Sequence, residues 1–327
     1  MPDHFDSPGK NFIRREWCKP LLSELKKRLN SGMIYMGLPS PDAADIHEWI
    51  EVIDKVYAFQ CRKYPEPSDP SQDRTAVNQL EARLNELERQ SKIKDFKVFD
   101  GYIEEVVLRG VDNSDLSFDI PDAISIYNLD FCNSITSPIN FKDKKGKPKR
   151  AYKFDAIKEL LSIQSRVNST YKKFVMFLTI KSGYDGKELD EYVNKAHKNI
   201  KQYFNTLNIL PIGDKKSRIL RCFVTDTCEN FYRHNNFNVE FLPVIKYTGN
   251  GNHNLLFFTI LGTSNIEASG IAPEIQNLEE FRNFKFITPE ENKFILQINK
   301  KINENDPLAD ALQSLKKSKT LKIWSRR

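Results

Sequence analysis

The chain has 327 residues, of which 39% are hydrophobic, and carries a formal net charge of +6. This apolar content is enough for a substantial core in one large domain or two. No apolar run is long enough to span a bilayer, and the N-terminus lacks an apolar signal region, so we expect neither membrane insertion nor secretion. The five cysteines are odd in number and never adopt CxxC spacing, which argues against a disulfide framework and against a zinc site; we expect no metal site. A reducing cytoplasm is the expected compartment.

The first part of the chain predicts a helix followed by a βαβ unit. Leucines recur at helical spacing within Trp17 to Leu29, and this helix should cover one side of a first strand at Met33 to Gly37. A Gly-Leu-Pro-Ser-Pro cluster ends that strand. The next helix should have Ser40 as its N-cap and Pro41 at its first position, and a second buried strand should follow at Lys55 to Phe59.

The middle of the chain predicts further alternation of helices and strands. A polar helix with a thin apolar stripe is expected from Thr75 to Gln90. Ile103 to Leu108 is an apolar segment that we assign to neither class. Asp130 should lie at or near the carboxyl end of a strand. The predicted strands are Phe96 to Phe99, Ala123 to Phe131 and Lys173 to Ile180, the last being the most hydrophobic run in the chain.

The later part of the chain predicts helices and then a β-hairpin. Two strands, Asn238 to Tyr247 and Asn254 to Leu261, are joined by Thr-Gly-Asn-Gly-Asn, a typical hairpin connection. The predicted helices are Phe154 to Val167, Lys187 to Leu207 and Ser217 to Arg233. The element order therefore predicts an α/β fold, a Rossmann-like doubly wound and mostly parallel sheet with a C-terminal antiparallel β-hairpin.

Basic residues cluster between Lys142 and Lys153. We predict a flexible, strongly positive loop, which is either a solvated linker or a phosphate-contacting loop for nucleic acid. A second basic cluster surrounds Trp324 near the C-terminus, and the aromatic ring there is suited to stacking on a base. The candidate nucleic-acid-binding residues of the loop are Lys142, Lys144, Lys145, Lys147, Lys149 and Arg150.

The order of elements resembles the Rossmann-like fold of class I S-adenosylmethionine-dependent methyltransferases, over roughly Gly32 to Thr263. In that family a Gly-rich turn follows the first strand, and Gly37 is what this chain keeps of it. The family has an acid for the ribose hydroxyls at the end of the second strand, where this chain has Gln60, which still forms hydrogen bonds. The turn Asp100-Gly101-Tyr102 resembles the adenine-contacting turn after the third strand. The resemblance thus implies an S-adenosylmethionine site.

The segment after the fourth strand holds two residues with open roles. Asp130 is either a catalytic or substrate-orienting acid, since ligands of open α/β sheets bind beyond the carboxyl ends of the strands, or a cap of the following turn. Cys132 is favoured as a buried structural cysteine over a methyltransferase-type nucleophile, because its neighbours are Phe and Asn instead of a base. The segment departs from the Asp/Asn-Pro-Pro-aromatic motif of amino-methylating members of the family.

Two functions from different classes follow. The first is a methyltransferase-like protein that binds S-adenosylmethionine or a related nucleoside and modifies nucleic acid. The alternative is a non-catalytic methyltransferase-like subunit that acts as a binding or regulatory protein partner in a larger assembly. A different Rossmann-like nucleotide hydrolase or transferase is a third, weaker interpretation. The expected organisation is an N-terminal helical extension at 1–31, the Rossmann domain at 32–264 and a polar, basic extension at 265–327.

Overall fold

The structure is a computed structural model. It describes residues 7–29, 32–60, 74–131, 134–143, 146–167, 173–182, 187–196, 198–209, 212–242, 244–249 and 254–264, with two-residue strands at 294–295 and 322–323. Cys132, Lys144, Lys145 and the basic cluster around Trp324 lie outside the described residues, apart from the strand at 322–323.

Ten strands precede residue 265 in the described part of the chain. They are β1 (Met33–Gly37), β2 (Ile53–Gln60), β3 (Asp95–Asp100), β4 (Ile126–Asp130), β5 (Ile139–Lys142), β6 (Pro148–Ala151), β7 (Lys173–Lys181), β8 (Phe237–Phe241), β9 (Ile245–Thr248) and β10 (Asn254–Ser264). Beyond them, β11 (Phe294–Ile295) pairs with β12 (Lys322–Ile323).

Helices connect and cover these strands. They are α1 (Pro8–Phe12), α2 (Lys19–Leu29), α3 (Ala44–Glu48), α4 (Thr75–Arg89), α5 (Ile103–Arg109), α6 (Lys153–Arg166), α7 (Lys187–Lys195), α8 (Lys198–Thr206) and α9 (Ile212–His234). A π-helical segment, Ile13–Cys18, joins α1 to α2, and a 3₁₀ turn, Leu207–Ile209, follows α8.

The main sheet confirms the predicted fold class. Its strand order is β3-β2-β1-β4-β7-β10-β8, with β9 also paired to β10. Strands β3, β2, β1, β4 and β7 pair in parallel, whereas β10 runs antiparallel to β7, β8 and β9. The predicted strand Asn238 to Tyr247 is interrupted and forms β8 and β9. The sheet is thus doubly wound and mostly parallel, and its antiparallel strands lie at one end.

Side chains of successive strand residues point to opposite faces, and both faces of this sheet are buried. On β1, Tyr35 packs into a core shared with α2, α3 and α4, while its neighbour Met36 packs into a core shared with α5, α6 and α9. Fully burying an apolar side chain of this size contributes about 1.5–3 kcal/mol. The apolar strands therefore hold a layer of helices on each side, and the strand ends remain for a site.

The N-terminal helices pack on the sheet as part of the first core. Trp17, Leu21 and Leu22 are buried there, as the predicted helix over Trp17 to Leu29 requires. The indole Nε1–H of Trp17 donates a hydrogen bond to Thr259 Oγ1 at 2.9 Å. Such a buried donor needs a partner, and this one ties the helical segment to β10. The predicted domain boundaries stay a prediction.

The first crossover helix is shorter than predicted. It begins at Ala44 instead of Pro41, because residues 41 and 42 form a turn and Ala43 adopts a left-handed conformation with φ of 53°. The Ser40 hydroxyl nevertheless accepts a hydrogen bond from Ala44 N–H, at 3.4 Å. The helix ends at Glu48, and β2 begins at Ile53, two residues before the predicted start at Lys55.

Two other helical segments differ from the prediction. The apolar segment Ile103 to Leu108 is helix α5, with acidic residues in its first turn, Arg109 in its last and Gly110 as a left-handed C-cap. This helix supplies a crossover between β3 and β4. The long helix predicted over Lys187 to Leu207 is divided into α7 and α8.

The predicted flexible basic loop is instead largely a β-hairpin. Strands β5 and β6 pair antiparallel, with Asn140 opposite Arg150 and Lys142 opposite Pro148. We call this pair of strands and its turn the basic hairpin. Lys142, Lys147 and Lys149 are exposed on it, as is Arg150. The prediction was wrong because the four-residue strand β6, Pro-Lys-Arg-Ala, is mostly basic and shows no hydrophobic alternation.

We predict that Gly37→Ala destabilises the fold by about 1–3 kcal/mol, a typical cost of overpacking. A Cβ at Gly37 would lie 2.4 Å from the carbonyl oxygen of Asn128 on β4, and backbone cannot give way as a flexible side chain can. Gly213→Ala is the matched control, because its Cβ would meet nothing within 4 Å, and it should be neutral or stabilise α9 by up to about 1 kcal/mol. Urea denaturation of both variants measures this; equal stabilities would contradict it.

Candidate functional site

A cavity of about 150 Å³ opens at the carboxyl ends of β1, β2, β3 and β4. This is the position where ligands bind in open α/β sheets. Residues at or directly after the ends of all four strands contribute to it, together with the N-terminal helices and the start of α6. We call it the strand-end cavity. Its lining residues are Arg14, Leu38, Pro39, Ser40, Asp45, Phe59, Gln60, Gly101, Tyr102, Ile103, Glu104, Asp130, Phe131, Ile139 and Lys153.

The cavity brings together four of the residues predicted to form the site. Gln60 from β2, Gly101 and Tyr102 after β3, and Asp130 from β4 all line it. The backbone N–H of Gly101 also donates to the carbonyl oxygen of Gln60 at 3.1 Å, so the ends of β2 and β3 are joined at the cavity wall. Gly37 and Asp100 are not among the lining residues.

Gly37 lies against the neighbouring strand. Besides the contact with the Asn128 carbonyl oxygen, a Cβ there would come within 2.8 Å of the Tyr35 hydroxyl. Leu38 N–H donates to the same Asn128 carbonyl at 2.9 Å and so continues the pairing of β1 with β4. Packing against β4 thus requires a glycine at position 37. The predicted contact of Gly37 with a cofactor stays a prediction.

Asp100 is fully buried behind the cavity. The Arg74 guanidinium lies 3.5 Å from its carboxylate, and the Ser114 hydroxyl donates to it at 3.4 Å. Its backbone N–H donates to the Asp112 carboxylate at 2.9 Å. Asp100 therefore organises the loop after α5, and any contact between its side chain and a ligand stays a prediction.

Asp130 forms an ion pair with Lys10 of α1. The carboxylate is about one-quarter exposed and the lysine side chain about one-seventh exposed. Their separation along the chain is 120 residues, so no local sequence pattern points from one to the other. A predicted catalytic or orienting acid is thus held by a cation from the N-terminal helix.

A buried polar network lies beside that pair, around Asp45 of α3. The Tyr35 hydroxyl donates to the Asp45 carboxylate at 3.1 Å, the Asn128 side-chain amide donates to the same oxygen, and Arg14 Nη2 lies 3.6 Å from the other one. Burial raises the pKa of Asp45, against the opposing effect of Arg14. Burial and the nearby Asp45 likewise raise the pKa of Tyr35. Sequence reasoning missed this network because its members come from four separate elements.

Lys153 and Glu104 form a second buried pair at the other side of the cavity. The Lys153 ammonium donates to the Ser137 carbonyl at 3.1 Å, lies 3.6 Å from Glu104 Oε1 and is 5.6 Å from the centre of the Phe131 ring. Both side chains are at most 6% exposed. Charged side chains are seldom this deeply buried, which marks the pair as a specific feature. In the sequence, Lys153 looked like the end of the basic run.

The basic hairpin begins and ends at the cavity. Ile139, the first residue of β5, lines the cavity, and Lys153 lies two residues after the end of β6. Of the six basic residues predicted to contact nucleic acid, the four that the structure describes, Lys142, Lys147, Lys149 and Arg150, are exposed on this hairpin. Whether they contact nucleic acid stays a prediction.

The cysteines and metal-ligand residues show no further site in the described part of the chain. Cys18, Cys222 and Cys228 are free and buried, and burial raises the pKa of each thiol, which disfavours the reactive thiolate. Among the described residues, no group of three or more His, Cys, Asp or Glu is arranged to hold a metal ion. Within that same part, no helix is both long and apolar enough to cross a membrane.

The strand order, the antiparallel β10 and the cavity at the carboxyl ends of β1 to β4 give this chain a Rossmann-like fold of the class I methyltransferase type. A family model supports a narrower grouping. The model described as PP_RS20740-like matches residues 4–207, more than half of the chain. The chain therefore belongs to the PP_RS20740-like family.

Comparison with curated proteins finds no match. Among solved structures, the O-methyltransferase TomG from Streptomyces achromogenes is 10% identical with a TM-score of 0.37, over 81% of this chain and 83% of that one. PH1948 from Pyrococcus horikoshii, described as an RNA methyltransferase, is 12% identical with a TM-score of 0.36, over 83% and 90%. An O-methyltransferase from Bacillus cereus is 6% identical with a TM-score of 0.34, over 81% and 84%.

We predict that Asp45→Asn changes how stability depends on pH. Burial raises the folded-state pKa of Asp45 above its ordinary value of 3.8, so the parent should lose stability relative to the variant as pH rises from about 4 through the folded-state pKa. The loss should total about 1.4 kcal/mol per unit of pKa difference. Denaturation from pH 3 to 8 measures it, with Asp119→Asn, an exposed carboxyl, as the control for removing one charge. A parent that gains stability relative to the variant as pH rises would contradict the burial argument.

Proposed function

We propose that this protein binds S-adenosylmethionine or a related nucleoside in the strand-end cavity. The observation that carries the proposal is the convergence of Gln60, Gly101, Tyr102 and Asp130 on one cavity, from three separate strand ends. Each of these residues lies at or just after the carboxyl end of a strand. Their meeting at the position expected for a ligand of this fold supports a nucleoside site.

The residues of the cavity fit the nucleoside part of such a ligand. Gln60 offers an amide that can donate to and accept from ribose hydroxyls, and Phe59 and Tyr102 offer apolar surface to a base. A Cβ at Gly101 would come within 3.0 Å of Val106, so a side chain would crowd this wall. At the other end of the cavity, Pro39 and Ser40 lie in the turn that is Gly-rich in class I methyltransferases. The charged side chains of Arg14, Asp45 and Asp130 complete this wall.

Those charged side chains suit the amino-acid part of S-adenosylmethionine, which carries an ammonium and a carboxylate. Arg14 would hold the carboxylate, and Asp130 would hold the ammonium or orient an acceptor. When bound, S-adenosylmethionine supplies an electrophilic methyl group. The protein's contribution is to position the acceptor and to exclude water with Leu38 and Phe131, which is catalysis by orientation.

We predict that the parent protein binds S-adenosylmethionine and S-adenosylhomocysteine in calorimetric titrations. Gln60→Ala should weaken binding roughly 3- to 10-fold, because one hydrogen bond is worth about 0.5–1.5 kcal/mol. Gln90→Ala, at the exposed end of α4, is the matched control and should bind as the parent does. Unchanged affinity in Gln60→Ala would show that the ligand does not contact Gln60 in this cavity.

Absence of binding to either ligand by the folded parent would favour the alternative function, a non-catalytic subunit with a protein partner. Two features of the structure support that alternative. Proline and serine replace the Gly-rich turn after β1, and Lys10 already neutralises Asp130. A ligand ammonium would have to share the carboxylate with Lys10, whose helix is fixed by the buried Trp17.

We further propose that the basic hairpin binds nucleic acid beside the cavity. Lys142, Lys147, Lys149 and Arg150 place four positive charges on one short exposed element. Lysine and arginine on such elements contact phosphates without regard to sequence. The hairpin starts and ends at the cavity wall. A nucleic-acid strand bound to the hairpin would therefore have its bases within reach of the cavity. A cytoplasmic location remains the expectation for such a protein.

We predict that replacing these four residues with Ser weakens binding to single-stranded RNA and to duplex DNA and lowers its salt dependence. Each phosphate contact contributes about 0.7 (single strands) to 0.9 (B-DNA) to the slope of log affinity against log salt concentration. Fluorescence anisotropy across a salt series measures both quantities. The control variant replaces four exposed lysines of α7 and α8, Lys187, Lys195, Lys198 and Lys201, and removes the same charge elsewhere. Identical salt-dependence slopes for the two variants would show that the hairpin does not contribute phosphate contacts.

A further inference from the structure

A second, smaller cavity of about 40 Å³ lies next to the strand-end cavity, against the N-terminal helices. We call it the inner cavity. Arg14, Asp45 and Asp130 line both cavities and so form the wall between them. Lys10 lines the inner cavity and is not among the residues that line the strand-end cavity. The Lys10 ammonium therefore reaches the Asp130 carboxylate from the side of the inner cavity.

The inner cavity has a polar lining. Asn128, Thr179 and Tyr247 contribute polar side chains to it, beside the two carboxylates of the wall. A cavity needs roughly 10–15 Å³ to hold one water molecule, so this one has space for a small polar group such as an ammonium. The inner cavity thus suits the charged end of a ligand better than an apolar group.

The strand-end cavity is small for the ligand proposed above. Pockets for ligands of this size typically measure about 300–1,000 Å³, whereas this cavity measures about 150 Å³. More space is available only beyond the wall. Asp45 is held there by Tyr35 and Asn128, both of the sheet. Asp130 is about one-quarter exposed, so it is the wall carboxylate with room to turn.

We propose that the ion pair of Lys10 and Asp130 is a latch that inhibits ligand binding, an inference that rests on the proposed nucleoside site. Lys10 Nζ lies 2.5 Å from Asp130 Oδ2 and holds this carboxylate in the wall. When the latch opens, Asp130 turns and the two cavities join. The ammonium of the ligand then takes the place of the Lys10 ammonium beside Asp130.

The Lys10 side chain is suited to leave this position without unfolding its helix. A lysine ammonium is a compact charge on a flexible stem, so it can withdraw while the backbone stays in place. The side chain is about one-seventh exposed, which gives the ammonium a way to water. The backbone of α1 is held by its N-cap, because the Ser7 hydroxyl accepts a hydrogen bond from Lys10 N–H at 3.2 Å.

The latch affects one part of the ligand. S-adenosylhomocysteine has an amino-acid end, which needs the open latch, so its apparent affinity is reduced by the fraction of molecules in which the latch is open. The related nucleoside 5′-methylthioadenosine has the same adenosine and thioether but ends in a methyl group. It fits the strand-end cavity with the latch closed, and its affinity is therefore independent of Lys10.

Calorimetric titrations with these two ligands test the latch. In the parent, both should bind within about threefold of each other, because the contact of the ligand ammonium replaces an equivalent contact of Lys10. Lys10→Met keeps the stem and removes the charge. It should tighten binding of S-adenosylhomocysteine roughly fivefold or more and leave binding of 5′-methylthioadenosine unchanged.

Lys19→Met is the matched control for removing one lysine charge from the N-terminal helices. Lys19 lies 3.2 Å from Glu48 Oε1, and neither residue lines either cavity. This variant should bind both ligands as the parent does. A gain in Lys19→Met equal to that in Lys10→Met would show a general charge effect and would overturn the latch.

The remaining outcomes separate this inference from the proposed function. No binding of either ligand by the parent and by Lys10→Met would overturn the nucleoside site and the latch together. Binding of 5′-methylthioadenosine, with no gain or a loss for S-adenosylhomocysteine in Lys10→Met, would overturn the latch alone. If Lys10→Met fails to fold by circular dichroism, Lys10→Gln, which keeps a donor for Asp130 without the charge, should show a smaller gain for S-adenosylhomocysteine.

Discussion

The close approach of β1 to β4 is the constraint on which the site depends. Gly37 has no side chain, so the backbone of Asn128 can lie where a Cβ would otherwise stand. This contact brings the Asn128 amide to Asp45 and to the Tyr35 hydroxyl, 3.2 Å away. The same network then fixes the turn after β1, which forms one wall of the strand-end cavity. A packing requirement in the sheet therefore determines the shape of the binding region.

The cavity is also bipolar, because cations and anions come to it from different parts of the chain. Arg14 lines it from the N-terminal helices, where Lys10 also pairs with Asp130, and Asp45 and Asp130 come from the first crossover and β4. Burying either carboxylate alone would be costly, and the ion pairs offset that cost. The chain's overall positive charge thus says little about the cavity, where opposite charges are balanced, and more about the exposed hairpin beside it.

Much of the fold followed from the sequence, because buried strands and the stripe of α4 have strong patterns. The apolar run at β7 and the leucines of α4 are buried as predicted. The prediction of helix boundaries failed where local sequence signals disagreed with the backbone conformation. Ser40 and Pro41 look like a helix start, but the left-handed Ala43 delays the helix. The short helix α5 was missed because seven residues show too little periodicity to separate a helix from a strand.

The site was predictable only in part, and the reason is physical. Gln60, Gly101, Tyr102 and Asp130 could be found because a strand end is a local feature, and the topology then places strand ends together. The ion pairs depend on tertiary contacts between residues far apart in the chain. Lys10 and Lys153 gave no local signal that distinguished them from the many surface lysines.

The N-terminal helices have a consequence for how this protein is engineered. Lys10 and Arg14 precede β1, yet Arg14 lines the strand-end cavity and Lys10 pairs with Asp130 in its wall. A recombinant fragment that starts at β1 would contain every strand of the main sheet and still lack these two cations. It would also leave the surface under Trp17 uncovered and the carboxylates of Asp45 and Asp130 without their cationic partners. The chain from β1 onward therefore does not form the complete cavity by itself.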